Sequence, residues 1–167
     1  MSDDLFYRLE ARFTQLTPIG LVADGIRMDN RFAGRITAGE LAGASVDGVD
    51  YFRIRSDGIG VVTGRELVEF NGARIAVAIN GYGLPPAGMQ LPPLEVLAAP
   101  DFEWPDVPFS IEVFATFETA DPDLAYLNRT TAVHTGYANM GTRELVIEAR
   151  RPEQLQRSAA LAGAATR

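Results

Sequence analysis

Apolar and polar residues alternate with a period of two over most of the chain, and small clusters of turn residues interrupt the alternation. In "YFRIRSDGIGVVTG" the dipeptide Asp57-Gly58 separates two such runs, and in "RELVEFNGARIAVAIN" Asn71-Gly72 separates two more. Both dipeptides supply the positive φ that tight hairpin turns need, so three strands follow one another as a meander. Further strands are expected in "LFYRLEARFTQL", "GIRMDNRFAGRIT" and "GELAGASVDG" before them. "PFSIEVFATFET", "LAYLNRTTAVHTG" and "TRELVIEAR" follow, which brings the expected total to eight or nine.

No long amphipathic helix interrupts these strands, which excludes a parallel βαβ fold and leaves a closed antiparallel barrel or a sandwich. The nearly unbroken meander favours the barrel. Between Tyr82 and Pro108 seven prolines forbid a central strand and leave room for one short helix starting near Pro93. Leu91, Leu94, Val96, Leu97, Phe102 and Trp104 make this segment too apolar for disorder, so it is expected to fold as a cap over one mouth of the barrel. The expected organisation is one all-β domain over residues 1–150, with an alanine-rich tail over 151–167 that is either a frayed helix or disordered.

A chain of 167 residues with 47% apolar side chains suits one domain with a full core. It contains no cysteine, which excludes disulfides, thiolate metal sites and cysteine nucleophiles. All fifteen basic residues are arginine, which removes Schiff-base chemistry and the lysine of a phosphate-binding loop. A net charge of −7 without a basic stripe argues against nucleic acid as a partner. No apolar run is long enough to cross a membrane as a helix, and "MSDDLFYRLE" has neither the basic start nor the apolar middle of an export signal. A soluble cytoplasmic protein is therefore expected.

Several motifs lose their meaning in context. Gly58, Gly60 and Gly64 resemble a dinucleotide fingerprint, but "RELVEF" continues as a strand where that motif requires a helix N-terminus. "GASVD" ends in Asp47 where a nucleophile elbow needs glycine. One histidine and scattered carboxylates have no metal-ligand spacing, so neither metal nor cofactor is expected.

The candidate chemistry is a set of polar residues that barrel strands would turn inward. Read as one strand from Tyr126 to Gly136, the period of two puts Tyr126, Asn128, Thr130, Ala132, His134 and Gly136 on one face and Arg129 on the other. The first face suits a ligand cavity, although the pattern alone allows the reverse assignment. Asp50 and Tyr51 at a strand opening, Asn80 and Tyr82 near the cap, and Glu118 at a strand end complete the set. Asp50 or Glu118 would serve as base, since burial raises a carboxyl pKa toward neutrality, and His134 or Tyr82 as acid. Arg65, Asn128 and Arg129, with Tyr51, Asn80, Tyr126 and Trp104, would hold the ligand.

Nearly the whole domain, from about Leu5 to Arg150, resembles a bacterial and fungal family of lipocalin-like barrels known only as domain of unknown function 3237. The resemblance rests on "GIR" at Gly25–Arg27, "ITAGELAG" at Ile36–Gly43, "VDYFRIRSDG" at Val49–Gly58, "GRELVEFNGARI" at Gly64–Ile75, "NGYG" at Asn80–Gly83, and "FET" followed by "YLNRT". It implies a calycin-type antiparallel barrel with one short helix, and a pocket built from Asp50, Arg65, Asn80, Asn128 and Arg129.

Two function classes follow. One is a cofactor-free acid–base enzyme, an isomerase, cyclase or lyase acting on an apolar, aromatic or polyketide-like compound. The other is a non-catalytic protein that holds a small ligand in the same cavity. Phe109, Ile111, Val113, Phe114 and Phe117 crowd one strand with apolar residues, so its outer face is expected to be covered by the cap, the tail or a second subunit in a homodimer.

Overall fold

The structure, a computed structural model, describes residues 5–153, and in them the alternation resolves into eight strands. These are β1 (Tyr7–Val22), β2 (Gly25–Gly39), β3 (Ser45–Ile54), β4 (Gly60–Phe70), β5 (Ala73–Leu84), β6 (Phe109–Thr119), β7 (Thr131–Asn139) and β8 (Glu144–Arg150). Each pairs antiparallel with the next, and β8 pairs back onto β1 to close a barrel. The pairing of β1 with β8 covers Tyr7–Arg12, and the rest of β1 is paired only with β2. Asn71 at φ 51° and Gly72 at φ 86° form the two-residue turn between β4 and β5 that their sequence demands. The tail expected over 151–167 lies, beyond Glu153, outside the described residues.

The count is eight because "GELAGASVDG" and "YFRIR" do not form separate strands. Glu40 to Ala44 make a turn, and β3 runs without a break from Ser45 through Asp47-Gly48 to Ile54. Gly48 is a place of close approach here: a Cβ at this position would lie 2.3 Å from the ring of Phe32 on β2.

A second difference lies at the opening of the seventh strand. Pro122–Arg129 is a 3₁₀ helix, not the first half of a strand. Asp121 caps it, its side chain accepting a hydrogen bond from the Asp123 amide, and Pro122 sits where a helix tolerates proline. From Ala132 onward the inward set Ala132, His134 and Gly136 follows the expected alternation.

The barrel is filled, not hollow. Phe6, Leu41, Phe117 and Leu127 close the end where the 3₁₀ helix lies. The opposite mouth is covered by the proline-rich connection, whose short helix α1 (Leu94–Leu97) starts after Pro93 and buries Leu97. Leu91, Leu94, Phe102 and Trp104 pack beside it on the core. No helix among the described residues is long and apolar enough to cross a membrane.

Candidate functional site

Alternation along β2 turns Ile26, Met28, Asn30, Phe32 and Ile36 inward, and Asn30 is the polar exception in that row. Along β3 the inward row is Val46, Gly48, Asp50, Phe52 and Ile54, with Asp50 as its exception. The register places Asn30 directly opposite Asp50, so the two meet on the inner wall. Gly64 of β4 stands opposite Asp50 and Glu66 opposite Gly48, which makes Glu66 the diagonal neighbour of Asp50.

Asn30 is 0% exposed, and neither its Nδ2 nor its Oδ1 has a hydrogen-bond partner. Asp50 Oδ1 is closed off from solvent and equally unpartnered. These atoms face a cavity of about 20 Å³ lined otherwise by Phe13, Phe52, Phe109, Ile111, Ala138 and Met140. Such a volume holds roughly one water.

Burial dominates the electrostatics. It pushes the Asp50 carboxyl up to about 8, helped by the charges of Asp29 and Glu66. It also raises Glu66 to about 7. Deeper in the barrel Tyr7 Oη and His134 Nε2 share a hydrogen bond of 2.7 Å, and burial lowers His134 to about 4, so the ring is neutral at pH 7. Burial, then the charge of Glu66, raises the Tyr7 hydroxyl well above its ordinary value. A polar seam thus runs from Asn30 and Asp50 near the cap, past Glu66, to Tyr7 and His134.

Outside the mouth a groove of about 450 Å³ lies between the cap and the barrel rim. Leu16, Met28, Leu97, Phe102, Trp104 and Met140 line it, with Glu103 and Arg143 among its polar residues. The volume falls in the range of small-molecule sites. Met140 lines both the groove and the inner cavity, and Met28, which lines the groove, is the inward neighbour of Asn30, so flexible thioether side chains lie where the two spaces meet.

The structure brings Asp50 and Trp104 to these two neighbouring spaces and sends the other candidates elsewhere. His134 points inward but is bonded to Tyr7, away from the cavity beside Asp50. Glu118 and Tyr82 are exposed on the outer wall, Tyr82 by 51%, because even-numbered residues of β5 and β6 face solvent. The same alternation turns Tyr51, Arg65 and Asn80 outward. Arg27 stacks over the Tyr51 ring, Arg65 donates to the carbonyl of Gly64, and Asn80 Oδ1 accepts from the Thr63 hydroxyl.

Tyr126, Asn128 and Arg129 belong to the 3₁₀ helix at the far end, so neither the strand face expected to carry Tyr126 and Asn128 beside His134 nor the opposite face expected for Arg129 exists there. Tyr126 donates to Glu40, and Arg129 is exposed. On β6 the apolar residues named lie mostly on one face, and among the described residues nothing covers the one that faces out. Phe109, Val113 and Phe117 point inward with Ile111, and only Phe114 of that group points out, 65% exposed.

Asn128 has a structural task instead. Its Oδ1 accepts from the Thr119 amide at 2.7 Å and its Nδ2 donates to the Thr119 carbonyl at 3.0 Å, which caps the end of β6. Asn128→Ala is therefore expected to lower stability by ~1 kcal/mol, as the loss of side-chain caps does, and to leave ligand binding unchanged. Thermal melting beside a binding titration checks both halves.

Asn30, Glu66, Tyr7 and Met140 are site or seam residues that the candidate set lacks. Among the described residues no three His, Cys, Asp or Glu side chains gather as a metal site would need.

No protein-family model matches the chain, and no curated protein matches it in sequence. Solved structures share its fold. A β-barrel-like protein from Acinetobacter baumannii AYE superimposes with a TM-score of 0.67 at 20% identity, covering 88% of this chain and 92% of that one. A conserved protein of unknown function from Rhodopseudomonas palustris gives 0.65 at 22% identity, over 88% and 94% of the two chains. A protein of unknown function from Clostridium acetobutylicum ATCC 824 gives 0.68 at 18% identity, over 88% and 95%.

Proposed function

We propose that the protein binds a small, largely apolar molecule, its body in the groove under Phe102 and Trp104 and its polar end at Asn30 and Asp50. The observation that carries this reading is the Asn30 side chain, fully buried with both amide atoms unpartnered, beside the unpartnered Asp50 Oδ1. Each buried polar group left unpaired costs ~1–3 kcal/mol, so three such atoms in one cavity are the expected signature of a place where something else supplies the bonds. Entry requires Met140 to change rotamer, which a thioether chain does at little cost. We likewise propose membership in the domain of unknown function 3237 family, on the order and spacing of its motifs from Gly25–Arg27 to Asn128-Arg129-Thr130.

An acid–base enzyme is the second reading, favoured by one observation. Asp50 and Glu66 are neighbouring inward carboxyls held at about 8 and about 7, close to the pH at which a general acid or base works best. Binding leads because His134 is committed to Tyr7 and Glu118 faces solvent, so neither converges with Asp50 on one point.

Trp104 is the only tryptophan of the chain and lines the groove, which makes it a reporter. Titration with N-phenyl-1-naphthylamine, an uncharged probe that brightens in apolar surroundings, is expected to give saturable fluorescence with energy transfer from Trp104. A linear, unsaturable response, or saturable binding without transfer from Trp104, would overturn the reading.

A further inference from the structure

Resting on the binding site just proposed, we infer that its ligand carries an uncharged head with a hydrogen-bond donor and acceptor side by side, such as a primary amide, a lactam or an enolised carbonyl. Three unpartnered atoms define what the head must offer. Asn30 Oδ1 and Asp50 Oδ1 are acceptor positions, and Asn30 Nδ2 brings N–H groups that need an acceptor. All belong to residues that face each other across one strand pair, within the span of a single small group.

Each charged alternative fails on that pattern. A carboxylate or phosphate accepts from Asn30 Nδ2 but offers no donor to Asn30 Oδ1, and it brings a full negative charge into a buried site beside two carboxyl groups. No arginine among the described residues is buried to compensate it, and the chain has no lysine. An ammonium ion satisfies the two oxygens but has no lone pair for Nδ2, which stays buried and unpaired. A wholly apolar head satisfies none of the three. An amide-type group accepts from Nδ2 through its carbonyl and donates through its N–H or O–H to Asn30 Oδ1 or Asp50 Oδ1. Asp50 in its protonated form adds a further donor to the same set, which a neutral carbonyl also uses.

The surroundings fix the rest of the ligand. Phe13, Phe52, Phe109 and Ile111 enclose the head subsite, so whatever adjoins the polar group is flat or slender and apolar. Beyond Met140 the groove broadens to its ~450 Å³ between Leu97, Phe102 and Trp104. A compound with one compact polar end and an aromatic or aliphatic body matches the chemistry of both spaces, and its polar end enters the ~20 Å³ inner cavity as Met140 moves aside and widens it.

Four fragments that share one ring separate the possibilities: benzamide, benzoate, benzylammonium and toluene, each competed against N-phenyl-1-naphthylamine on the full chain at pH 7. Benzamide is expected to displace the probe at a roughly tenfold lower concentration than the other three, the discrimination that a site built for hydrogen bonds shows against analogues lacking them. That preference is expected to vanish in Asn30→Leu and in Asn30→Ala, two variants of opposite steric demand, while probe binding persists in at least one of them. Equal displacement by toluene and benzamide, tighter binding of benzoate or benzylammonium, or a probe that no fragment displaces would each overturn the inference and leave the groove as a binding site. Failure of the probe itself to bind would instead remove the reading on which the inference stands.

Discussion

Replacing Asn30 by leucine is expected to raise the melting temperature by several degrees, the reverse of what most substitutions at a fully buried position do. The wild-type side chain is 0% exposed with no protein partner for either polar atom, so the folded state carries the desolvation of an amide that at most one water in the adjoining cavity offsets. Leucine branches at the same carbon and replaces the amide by two methyl groups. Removing the unpaired amide is worth ~1–3 kcal/mol, and the cavity beside it accepts the slightly larger side chain, which keeps overpacking small. For a domain of this size ~2–4 °C accompanies each kcal/mol, so a rise of roughly 2–12 °C is expected in calorimetry without ligand. The same variant is expected to lose ligand affinity, because stability and function pull apart at a site kept unsatisfied for a partner. A lower melting temperature for Asn30→Leu would mean that the amide is already well bonded in the resting protein.

The second large effect is a pH dependence of unusual sign. The Asp50 and Glu66 carboxyls have ordinary values of 3.8 and 4.5 and are held at about 8 and about 7 in the fold. Above pH 6.5 the unfolded chain has already released both protons, whereas the folded protein keeps them until the higher values. The folded state therefore binds more protons, and stability falls as pH rises from 6.5 to 8. At ~1.4 kcal/mol per unit of pH, Asp50 alone accounts for about 2 kcal/mol over that window. His134 works in the opposite direction but elsewhere: its value drops from 6.5 to about 4, so it removes stability only as pH falls below 6.5. Melting curves are expected to shift down between pH 6.5 and 8 for the wild type. Asp50→Asn is expected to flatten that dependence, leaving the share of Glu66 up to about pH 7, and to gain most at pH 8. Identical slopes for wild type and Asp50→Asn would show that the carboxyl is solvated and titrates normally.

Much of the barrel was legible because its signals are local. Asn71-Gly72 forces a hairpin turn whatever surrounds it, and Pro93 marks a helix start whether or not the helix is long. The sequence offered Asp50 and Tyr51 together for the site, and alternation allows only one of them: Asp50 turns inward with Phe52 and Ile54 while Tyr51 faces out. Two features escaped for physical reasons. Gly48 looks like part of a turn beside Asp47, but what it accommodates is the Phe32 ring on the neighbouring strand, a contact that no local pattern encodes. Within residues 122–129 only Tyr126 is a strong strand former, and the Asp121-Pro122 start was a helix signal that the alternation of the residues after it obscured.

The candidate site was harder to read because its polar residues come from different strands. Asn30 breaks an otherwise apolar inward row, Ile26, Met28 and Phe32, and that break was visible in the sequence. Glu66 offered less, since Arg65, Glu66 and Glu69 make either face of β4 look polar. The outward course of Tyr51, Arg65, Asn80 and Tyr82 follows from the same parity that buries Asp50 and Phe52, and it separates them from the cavity. What no single strand reveals is the meeting of Asn30 with Asp50, which depends on the β2–β3 register.

The most direct measurement is a titration of the ¹⁵N-labelled protein with benzamide, following the side-chain amide resonances of Asn30, assigned by their absence in Asn30→Leu, beside the indole resonance of Trp104. Binding at the inner cavity predicts that the Asn30 resonances move saturably, with the same midpoint as Trp104. A shift at Trp104 while Asn30 stays fixed, or no shift at either, would contradict it.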